Sequence, residues 1–306
     1  MSHAIETPAE RASTPDGVKA AALSSMSPLP SPSGTTRLFV HIGHPIAQVQ
    51  APRLMNRLLA ERQVDAVMVA IDVPPDRLSA TVAGLQNIAN LDGILVTVPH
   101  KIAICGHAQS LSPAVTLAGA ANALRRRPDG RWEADNFDGT GFVEGLRAAG
   151  HAVEGIDVVL VGAGGAGTAI AASLVLAGVA RVVVRDVDTE AAQRLVDRLD
   201  RHRRGVAERW REGVAEQADL WINATSMGMK PDDPLPLSVD AIKPGAVVAD
   251  IVMKPAETQL LRQAAARGLA THAGLHMLQP QIAMYADFFW DEPARGPGPG
   301  LAAGRP

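Results

Sequence analysis

A glycine-rich segment has the residue types and spacing that bring a backbone against phosphate. Gly162-Ala163-Gly164-Gly165-Ala166-Gly167 fits the pattern G-x-G-x-x-G, follows the apolar stretch VVLV and opens an alanine-rich helical stretch. Glycines leave no Cβ atoms in the way, and the N-terminus of a helix offers free N–H groups to a pyrophosphate. The segment therefore predicts dinucleotide binding; the alternative is a tight strand–helix turn without a ligand.

An acidic side chain, Asp186, ends the next strand-like stretch, RVVVRD. A carboxylate at this point accepts hydrogen bonds from the adenine ribose hydroxyls and repels a 2′-phosphate, which favours NAD over NADP. Arg185 is adjacent and can weaken that preference, although neighbours in a strand point to opposite faces. The alternative is a solvated strand end with no cofactor role.

Lys101 and Asp138 are candidates for proton transfer. Lys101 is one of five lysines and follows the apolar stretch GILVTVP, while Asp138 lies in DNFDGTGF, ahead of the glycine-rich segment. The carboxyl ends of strands line the ligand crevice of α/β folds, so the two groups can face one cleft. A lysine beside a carboxylate can pass a proton to or from a reacting hydroxyl. The spacing alone also fits a surface lysine and an aspartate in a turn.

Strand-like and helix-like stretches alternate between residues 37 and 290, which predicts an α/β fold with parallel sheets covered by helices. The predicted strands are 37–43, 66–73, 93–99, 121–127, 131–135, one starting at 157, 181–186, 220–225 and 246–252. The predicted helices are 52–63, 78–88, 142–149, one ending at 177, and 275–290. Pro128-Asp129-Gly130 predicts a hairpin turn between two of these strands.

The chain divides into five predicted parts. Residues 1–36 are rich in Pro, Ser, Thr and Ala and indicate a disordered leader, and residues 292–306 indicate a loose tail. Between them we expect a substrate-binding and catalytic domain over 37–139 and a dinucleotide-binding domain of the Rossmann type over 140–273. A last helix, 274–291, is expected to pack back on the first domain.

Composition and charge exclude several classes of protein. A chain of 306 residues that is 47% hydrophobic and 20% charged is not mainly disordered. A net charge of −3 gives no positive electrostatic field that would attract nucleic acid. No apolar run reaches the ~18 residues of a membrane span. A secretory signal is lacking, so we expect a cytoplasmic protein. One cysteine and histidines without ligand spacing predict no metal site.

Eight short motifs, taken together and in order, show what the sequence resembles. They are GHPIAQVQAP (43–52), GILVTVPHK (93–101), AGAANAL (118–124), DNFDGTGF (135–142), VGAGGAG (161–167), NATSMGM (223–229), DIVMKPAET (250–258) and GLHMLQPQ (274–281). Over about residues 37–290 the chain resembles the shikimate dehydrogenase family. The resemblance implies a catalytic α/β domain, a Rossmann domain and a ligand cleft between them. It also implies reversible hydride transfer between NAD(P) and a ring hydroxyl or ketone.

The resemblance implies a role for particular positions. Lys101 falls on the family's catalytic lysine, and Asp138 falls on its partner aspartate. Three residues fall on positions that contact the substrate: Thr97, Asn122 and Gln281. Four more fall on positions that line the cofactor, in addition to the glycine-rich segment: Asn223, Thr225, Ile251 and Gly274.

The first motif departs from the family pattern. Val49 and Ala51 replace the two serines that hold the substrate carboxylate. Hydrogen bonds to a charged group contribute about 1.5–3 kcal/mol each, so losing both predicts roughly 10²–10⁴-fold weaker binding. Four neighbouring polar side chains are candidates to take over the acid group: His44, Gln48, Gln50 and Arg53.

Three further positions depart from the family in the same way. The family's tyrosine near the substrate is Met253, the threonine beside the catalytic aspartate is Phe137, and the arginine that grips the 2′-phosphate of NADP is Asp186. All of these changes affect recognition, whereas Lys101 and Asp138 remain. The hydride chemistry is therefore expected to persist with a changed preference for substrate.

The sequence as a whole predicts an NAD(P)-dependent dehydrogenase for a shikimate- or quinate-type cyclic hydroxy acid. Shikimate itself is expected to be a poor substrate, NAD is favoured over NADP, and the protein is a monomer or a homodimer. Its partners are a small-molecule substrate and a dinucleotide, with no nucleic acid and no membrane. The alternatives are a quinate dehydrogenase and, from a different class, a sensor that binds dinucleotide and ligand without turnover.

Overall fold

The structure, a computed structural model, describes residues 31–211, 213 and 217–290. The predicted tail and residues 1–30 of the predicted leader lie outside these ranges. At the end of the predicted leader, Thr35 and Thr36 donate hydrogen bonds to the carboxylate of Asp65 at 2.9 and 2.7 Å. No helix in the described ranges is long and apolar enough to cross a membrane.

Twelve strands and eight α-helices form within the described residues. The strands are β1 Arg37–Gly43, β2 Ala66–Asp72, β3 Leu91–Val96, β4 Ser110–Leu111, β5 Ala123–Arg126, β6 Trp132–Asp135, β7 Asp157–Val161, β8 Arg181–Arg185, β9 Ala207–Arg209, β10 Leu220–Asn223, β11 Val247–Asp250 and β12 Ala270–Ala273. The helices are α1 Ala51–Glu61, α2 Leu78–Gln86, α3 Pro113–Ala118, α4 Asp138–Ala148, α5 Gly165–Leu176, α6 Thr189–His202, α7 Gln259–Ala266 and α8 Leu275–Trp290.

The second half of the chain forms a six-stranded sheet that is parallel throughout, in the order β12-β11-β10-β7-β8-β9. Its strands β7 and β8 are largely buried runs of valine and leucine, as expected where helices cover both faces. The strand order reverses at β7, and ligands of such sheets bind at the carboxyl ends of the strands beside this point. The glycine-rich segment begins where β7 ends.

The first half of the chain forms a mixed six-stranded sheet in the order β2-β1-β3-β5-β6-β4. The strands β2, β1 and β3 are parallel, but β5 runs antiparallel to both β3 and β6. The predicted hairpin turn is confirmed between β5 and β6. The sheet is therefore mixed, because a turn this short can join only antiparallel strands.

Helix α4 connects the two sheets and begins at Asp138, ahead of the predicted start at residue 142. Its glycines bring neighbouring backbones close: a methyl group on Gly139 would overlap the carbonyl oxygen of Ala169 in α5. A methyl group on Gly145 would lie 2.5 Å from the carbonyl oxygen of His276 in α8. Glycine has low helix propensity, which explains why the first turn of α4 is not evident from the sequence.

The last helix, α8, returns to the first sheet. The ring of Phe289 lies 4.9 Å from that of Phe39 in β1, and Trp290 lies 5.2 Å from the same ring. The guanidinium of Arg125 in β5 donates to the carbonyl oxygen of Phe288 at 2.8 Å. Helix α8 therefore packs on the first sheet and presents its earlier residues to α4.

Replacing Gly139 by alanine tests the contact between α4 and α5. Alanine ordinarily stabilises a helix interior over glycine by about 1 kcal/mol, but this Cβ meets backbone, which has no rotamer to change. We expect the free energy of unfolding in urea to fall by about 1–3 kcal/mol. Gly84→Ala in α2 is the matched control, because its Cβ meets nothing within 4 Å. Equal stability of the two variants would contradict the proposed constraint.

Candidate active site

A buried ion pair joins the turn that follows β3 to the start of α4. The Nζ of Lys101 lies 2.5 Å from Oδ2 of Asp138, and the two side chains are only 11% and 4% exposed. Asp138 is the first residue of α4, where the positive end of the helix dipole favours a carboxylate. The peptide N–H of Ala121 donates to the carbonyl oxygen of Lys101 at 2.7 Å and holds the lysine's backbone. The structure thus brings the two predicted catalytic residues together.

The glycine-rich segment lies directly against Lys101. A methyl group on Gly165 would lie 2.8 Å from the Cβ of Lys101. Gly164 caps α5 without a side-chain hydrogen bond, and a Cβ built there would meet nothing within 4 Å. Free N–H groups at a helix start, next to open space, fit a pyrophosphate group.

The carboxylate of Asp186 turns back towards the glycine-rich segment. Its Oδ2 accepts the N–H of Ala163 at 2.5 Å, and its Oδ1 accepts the N–H of Asp188 at 2.8 Å. The guanidinium of Arg185 is directed elsewhere, 5.5 Å from the centre of the Trp210 ring. The carboxylate, rather than the guanidinium, therefore faces the loop.

The loops after β10 and β11 complete the edge beside the glycine-rich segment. Asn223 is fully buried; its amide oxygen accepts the N–H and hydroxyl of Thr225 at 3.0 and 2.7 Å, and its Nδ2 donates to Asp250 at 3.0 Å. A Cβ on Gly274 would lie 2.6 Å from the carbonyl oxygen of Ile251. The buried amide of Asn223 shapes this edge from within, while Thr225 and Ile251 are partly exposed.

Three polar side chains continue inward from Asp138. Gln281 Nε2 donates to Asp138 Oδ1 at 3.3 Å, the hydroxyl of Tyr285 donates to Gln281 Oε1 at 3.2 Å, and Asn122 Nδ2 donates to the oxygen of Tyr285 at 2.9 Å. Burial raises the pKa of Tyr285 well above its ordinary value, so the hydroxyl keeps its proton. Tyr285 was not predicted as a site residue; the only signal in the sequence is that the chain has no other tyrosine.

A second residue that the sequence did not reveal is His41, buried on β1 beside β3. Burial and the nearby charge of Lys101 lower the pKa of His41 to about 4. The imidazole is therefore neutral at pH 7 and adds no positive charge next to Lys101. Its Nδ1 has no hydrogen-bond partner among the described residues.

The two replacements in the first motif lie at the start of α1. Ala51, the first residue of α1, is buried in an apolar cluster with Phe39, Met55 and Tyr285. Val49 lies two residues earlier and is half-buried. Apolar side chains therefore occupy the two positions at which the family pattern has serine hydroxyl groups.

Three of the four polar side chains near this motif are engaged in other contacts. His44 Nδ1 lies 2.8 Å from a carboxylate oxygen of Asp72. Gln48 and Gln50 donate their side-chain N–H groups to backbone carbonyl oxygens of their own loop at 2.7 and 3.2 Å. Arg53 is exposed on α1. None of these four side chains is held ready for an acid group by the contacts that the structure describes.

Two further predicted substrate positions follow strands. Thr97 comes directly after β3, where its N–H donates to the carbonyl oxygen of Ile42 at 2.9 Å. Met253 lies beyond the end of β11 and is 37% exposed. Among the described residues, no group of three or more His, Cys, Asp or Glu side chains is arranged to hold a metal ion.

The chain is similar to known proteins in sequence. A family model described as the shikimate dehydrogenase substrate binding domain matches residues 41–124. Shikimate dehydrogenase (NADP(+)) of Symbiobacterium thermophilum is 36% identical over 274 residues, which cover 86% of this chain and 92% of that protein.

Solved structures agree with this similarity. Shikimate 5-dehydrogenase from Listeria monocytogenes, in complex with shikimate and NAD, has a TM-score of 0.77 at 31% identity and covers 85% of this chain and 93% of its own. The ligand-free 5-ketofructose reductase of Gluconobacter sp. strain CHM43 has a TM-score of 0.75 at 28% identity, with coverages of 85% and 94%.

The parallel sheet with its glycine-rich segment, the mixed sheet and these relatives define a class of enzyme. It is the class of NAD(P)-dependent oxidoreductases that act on a CH–OH group. Within this class the chain belongs to the shikimate dehydrogenase family, of the shikimate and quinate dehydrogenase type.

Proposed function

We propose that the chain catalyses reversible hydride transfer between a nicotinamide dinucleotide and a hydroxyl or ketone of a cyclic polyhydroxy compound, with Lys101 and Asp138 as the catalytic pair. One observation carries this proposal: the buried 2.5 Å ion pair lies against Gly165 of the glycine-rich segment. A proton donor and a dinucleotide site are thereby adjacent, as the reaction requires.

The chain's own residues control the proton. When bound, the nicotinamide ring supplies or accepts the hydride. In reduction, Lys101 Nζ donates a proton to the ketone oxygen, and in oxidation the same nitrogen takes the proton of the hydroxyl. Asp138 Oδ2 accepts a hydrogen bond from Nζ and fixes its direction. Asn122 and Gln281 are proposed to donate hydrogen bonds to other oxygens of the substrate.

The same proposal includes a preference for NAD. The 2′-phosphate of NADP would bring negative charge next to the carboxylate of Asp186, whereas the ribose hydroxyls of NAD can donate hydrogen bonds to it. The position of Arg185 over Trp210 supports this preference, because the guanidinium lies away from the loop. The relative from Symbiobacterium thermophilum is named for NADP(+), so cofactor choice would distinguish the two proteins.

Shikimate is proposed to be a poor substrate. Val49 and Ala51 offer its carboxylate no hydrogen bond, and an apolar wall adds a desolvation cost.

A second candidate is a neutral polyhydroxy ketone, which needs no group for a carboxylate. The similar structure named 5-ketofructose reductase supports this candidate, since 5-ketofructose is a sugar without a carboxylate. Turnover measured across a panel of shikimate, quinate and neutral polyhydroxy ketones separates these candidates. A quinate dehydrogenase turns over quinate best, and a ligand sensor turns over none of them.

Lys101→Met tests the catalytic pair. We expect kcat on the best substrate of the panel to fall by about 100-fold or more, because the proton donor is lost. Dinucleotide binding, followed by NADH fluorescence, should change little, and thermal unfolding checks that the variant folds. Lys243→Met is the matched control, since Lys243 pairs with Asp219 at 2.6 Å at the surface. Undiminished turnover in Lys101→Met would refute the proposed chemistry.

Asp186→Ala tests cofactor choice. Removing the carboxylate should raise kcat/KM with NADP by about tenfold or more and lower it with NAD, because a like charge no longer faces the 2′-phosphate. Asp188→Ser is the control: it removes a neighbouring charge but keeps a good cap for α6. A wild-type enzyme that prefers NADP would overturn the assignment.

Restoring Val49→Ser together with Ala51→Ser tests the substrate argument. We expect the KM for shikimate to fall by about 10²-fold, since two hydrogen bonds to a carboxylate are regained. Val49→Ala serves as the control that relieves bulk without adding a hydroxyl. If wild-type protein already matches the double variant on shikimate, another group binds the carboxylate and shikimate is an ordinary substrate.

A further inference from the structure

We propose that Tyr285 is a positioning residue of the hydride-transfer site: its hydroxyl, which accepts from the side-chain amide of Asn122, fixes the side-chain amide of Gln281 so that Gln281 directs an N–H at Asp138. The inference rests on the proposed function, in which Asp138 is catalytic and both amides contact substrate. It goes beyond that function by assigning a role to a residue on the last helix that no motif marks.

The direction of the hydrogen-bonded chain is set at its backbone end. The N–H of Phe137 donates to Asn122 Oδ1 at 2.9 Å, and a backbone N–H cannot accept. The amide oxygen of Asn122 therefore occupies this position, and Nδ2 is the atom that faces Tyr285, at 2.9 Å. Because Nδ2 can only donate, the oxygen of Tyr285 accepts this hydrogen bond.

The hydroxyl proton of Tyr285 is then free to be donated in one direction, to Gln281 Oε1 at 3.2 Å. This bond places the amide oxygen of Gln281 away from the carboxylate and its Nε2 towards Asp138 Oδ1, at 3.3 Å. A flipped amide would set oxygen against carboxylate oxygen and leave Tyr285 without an acceptor. The phenol thus transmits an orientation from the backbone to the catalytic carboxylate.

Packing keeps the phenol in place. Tyr285 is 5% exposed, and the ring of Phe137 meets it edge-on at 5.4 Å.

Within the described residues, Asn122 Nδ2 and Gln281 Nε2 each have one hydrogen bond and therefore one further N–H. At these two places the site presents donors, which suit substrate oxygens that accept hydrogen bonds. The backbone N–H of Phe137 determines this choice at Asn122, and the hydroxyl of Tyr285 determines it at Gln281.

Tyr285→Phe removes the hydroxyl and keeps the ring. We expect kcat on the best substrate to fall by about 10- to 100-fold, while the dissociation constant for the dinucleotide changes less than about threefold. A purely structural role would lower the melting temperature and leave kcat unchanged. Phe289→Leu, on the same helix but packed on Phe39, is the control for lost aromatic packing and should show that structural pattern.

A double-mutant cycle with Gln281→Met tests whether Tyr285 acts through the glutamine. In the Gln281→Met background, Tyr285→Phe should change kcat by less than about threefold. Effects of the two substitutions that simply multiply would overturn the proposal. So would an unchanged kcat in Tyr285→Phe alongside an inactive Lys101→Met, an outcome that leaves the proposed function standing. Turnover retained in both variants would instead refute the proposed function itself.

Fluorine labelling of Tyr285 gives a second measurement. The labelled protein keeps its tyrosine, so the result does not depend on the stability of Tyr285→Phe. Tyr285 is the only tyrosine, so 3-fluorotyrosine labels one site in the full chain. We expect its fluorine resonance to shift when Gln281→Met is introduced and to stay unchanged with Lys243→Met. A fluorine chemical shift that does not change with Gln281→Met would show that the hydroxyl of Tyr285 does not donate to the amide of Gln281.

Discussion

The ion pair between Lys101 and Asp138 determines what the rest of the structure has to achieve. Taking two charges out of water costs several kcal/mol for each ion, and only close geometry with additional hydrogen bonds offsets that cost. The carboxylate of Asp138 accepts hydrogen bonds from Lys101 and Gln281, and the positive end of the helix dipole at the start of α4 favours its charge. Three distant segments must therefore meet at one point: the turn after β3, the first turn of α4 and the middle of α8.

Contacts between backbones supply the precision that this meeting requires. A methyl group on Gly141 would lie 2.7 Å from the carbonyl oxygen of Met277, and one on Gly139 would overlap the backbone of α5. With no side chain in between, α4 cannot shift without moving its neighbours, since close-packed interiors transmit small displacements. The carboxylate of Asp138 and the helix that opens at the glycine-rich segment are thus held in one fixed relation.

The parts of this arrangement that follow from local patterns could be predicted from the sequence. Lys101 follows a recognisable strand, and the glycine-rich segment opens a recognisable helix, so both could be placed before any contact was known. The first turn of α4 could not, because the glycines that permit its packing also weaken the helical pattern. Tyr285 could not either: it meets Asn122, which lies 163 residues away in the chain, and only the tertiary fold brings the two together.

The departures at Val49, Ala51 and Phe137 have a common physical meaning. Relative to the family pattern they replace hydroxyl groups with hydrocarbon at positions that we propose recognise substrate, while a continuous hydrogen-bonded chain still reaches Asp138. A lost recognition contact weakens binding of one ligand by a few kcal/mol, and another ligand that lacks the same group loses nothing. A lost proton donor weakens the reaction of every substrate alike. A site can therefore change its ligand through the first kind of residue only if the second kind stays held in place, and the enclosed chain from the backbone of Phe137 through Tyr285 to Asp138 is suited to that task.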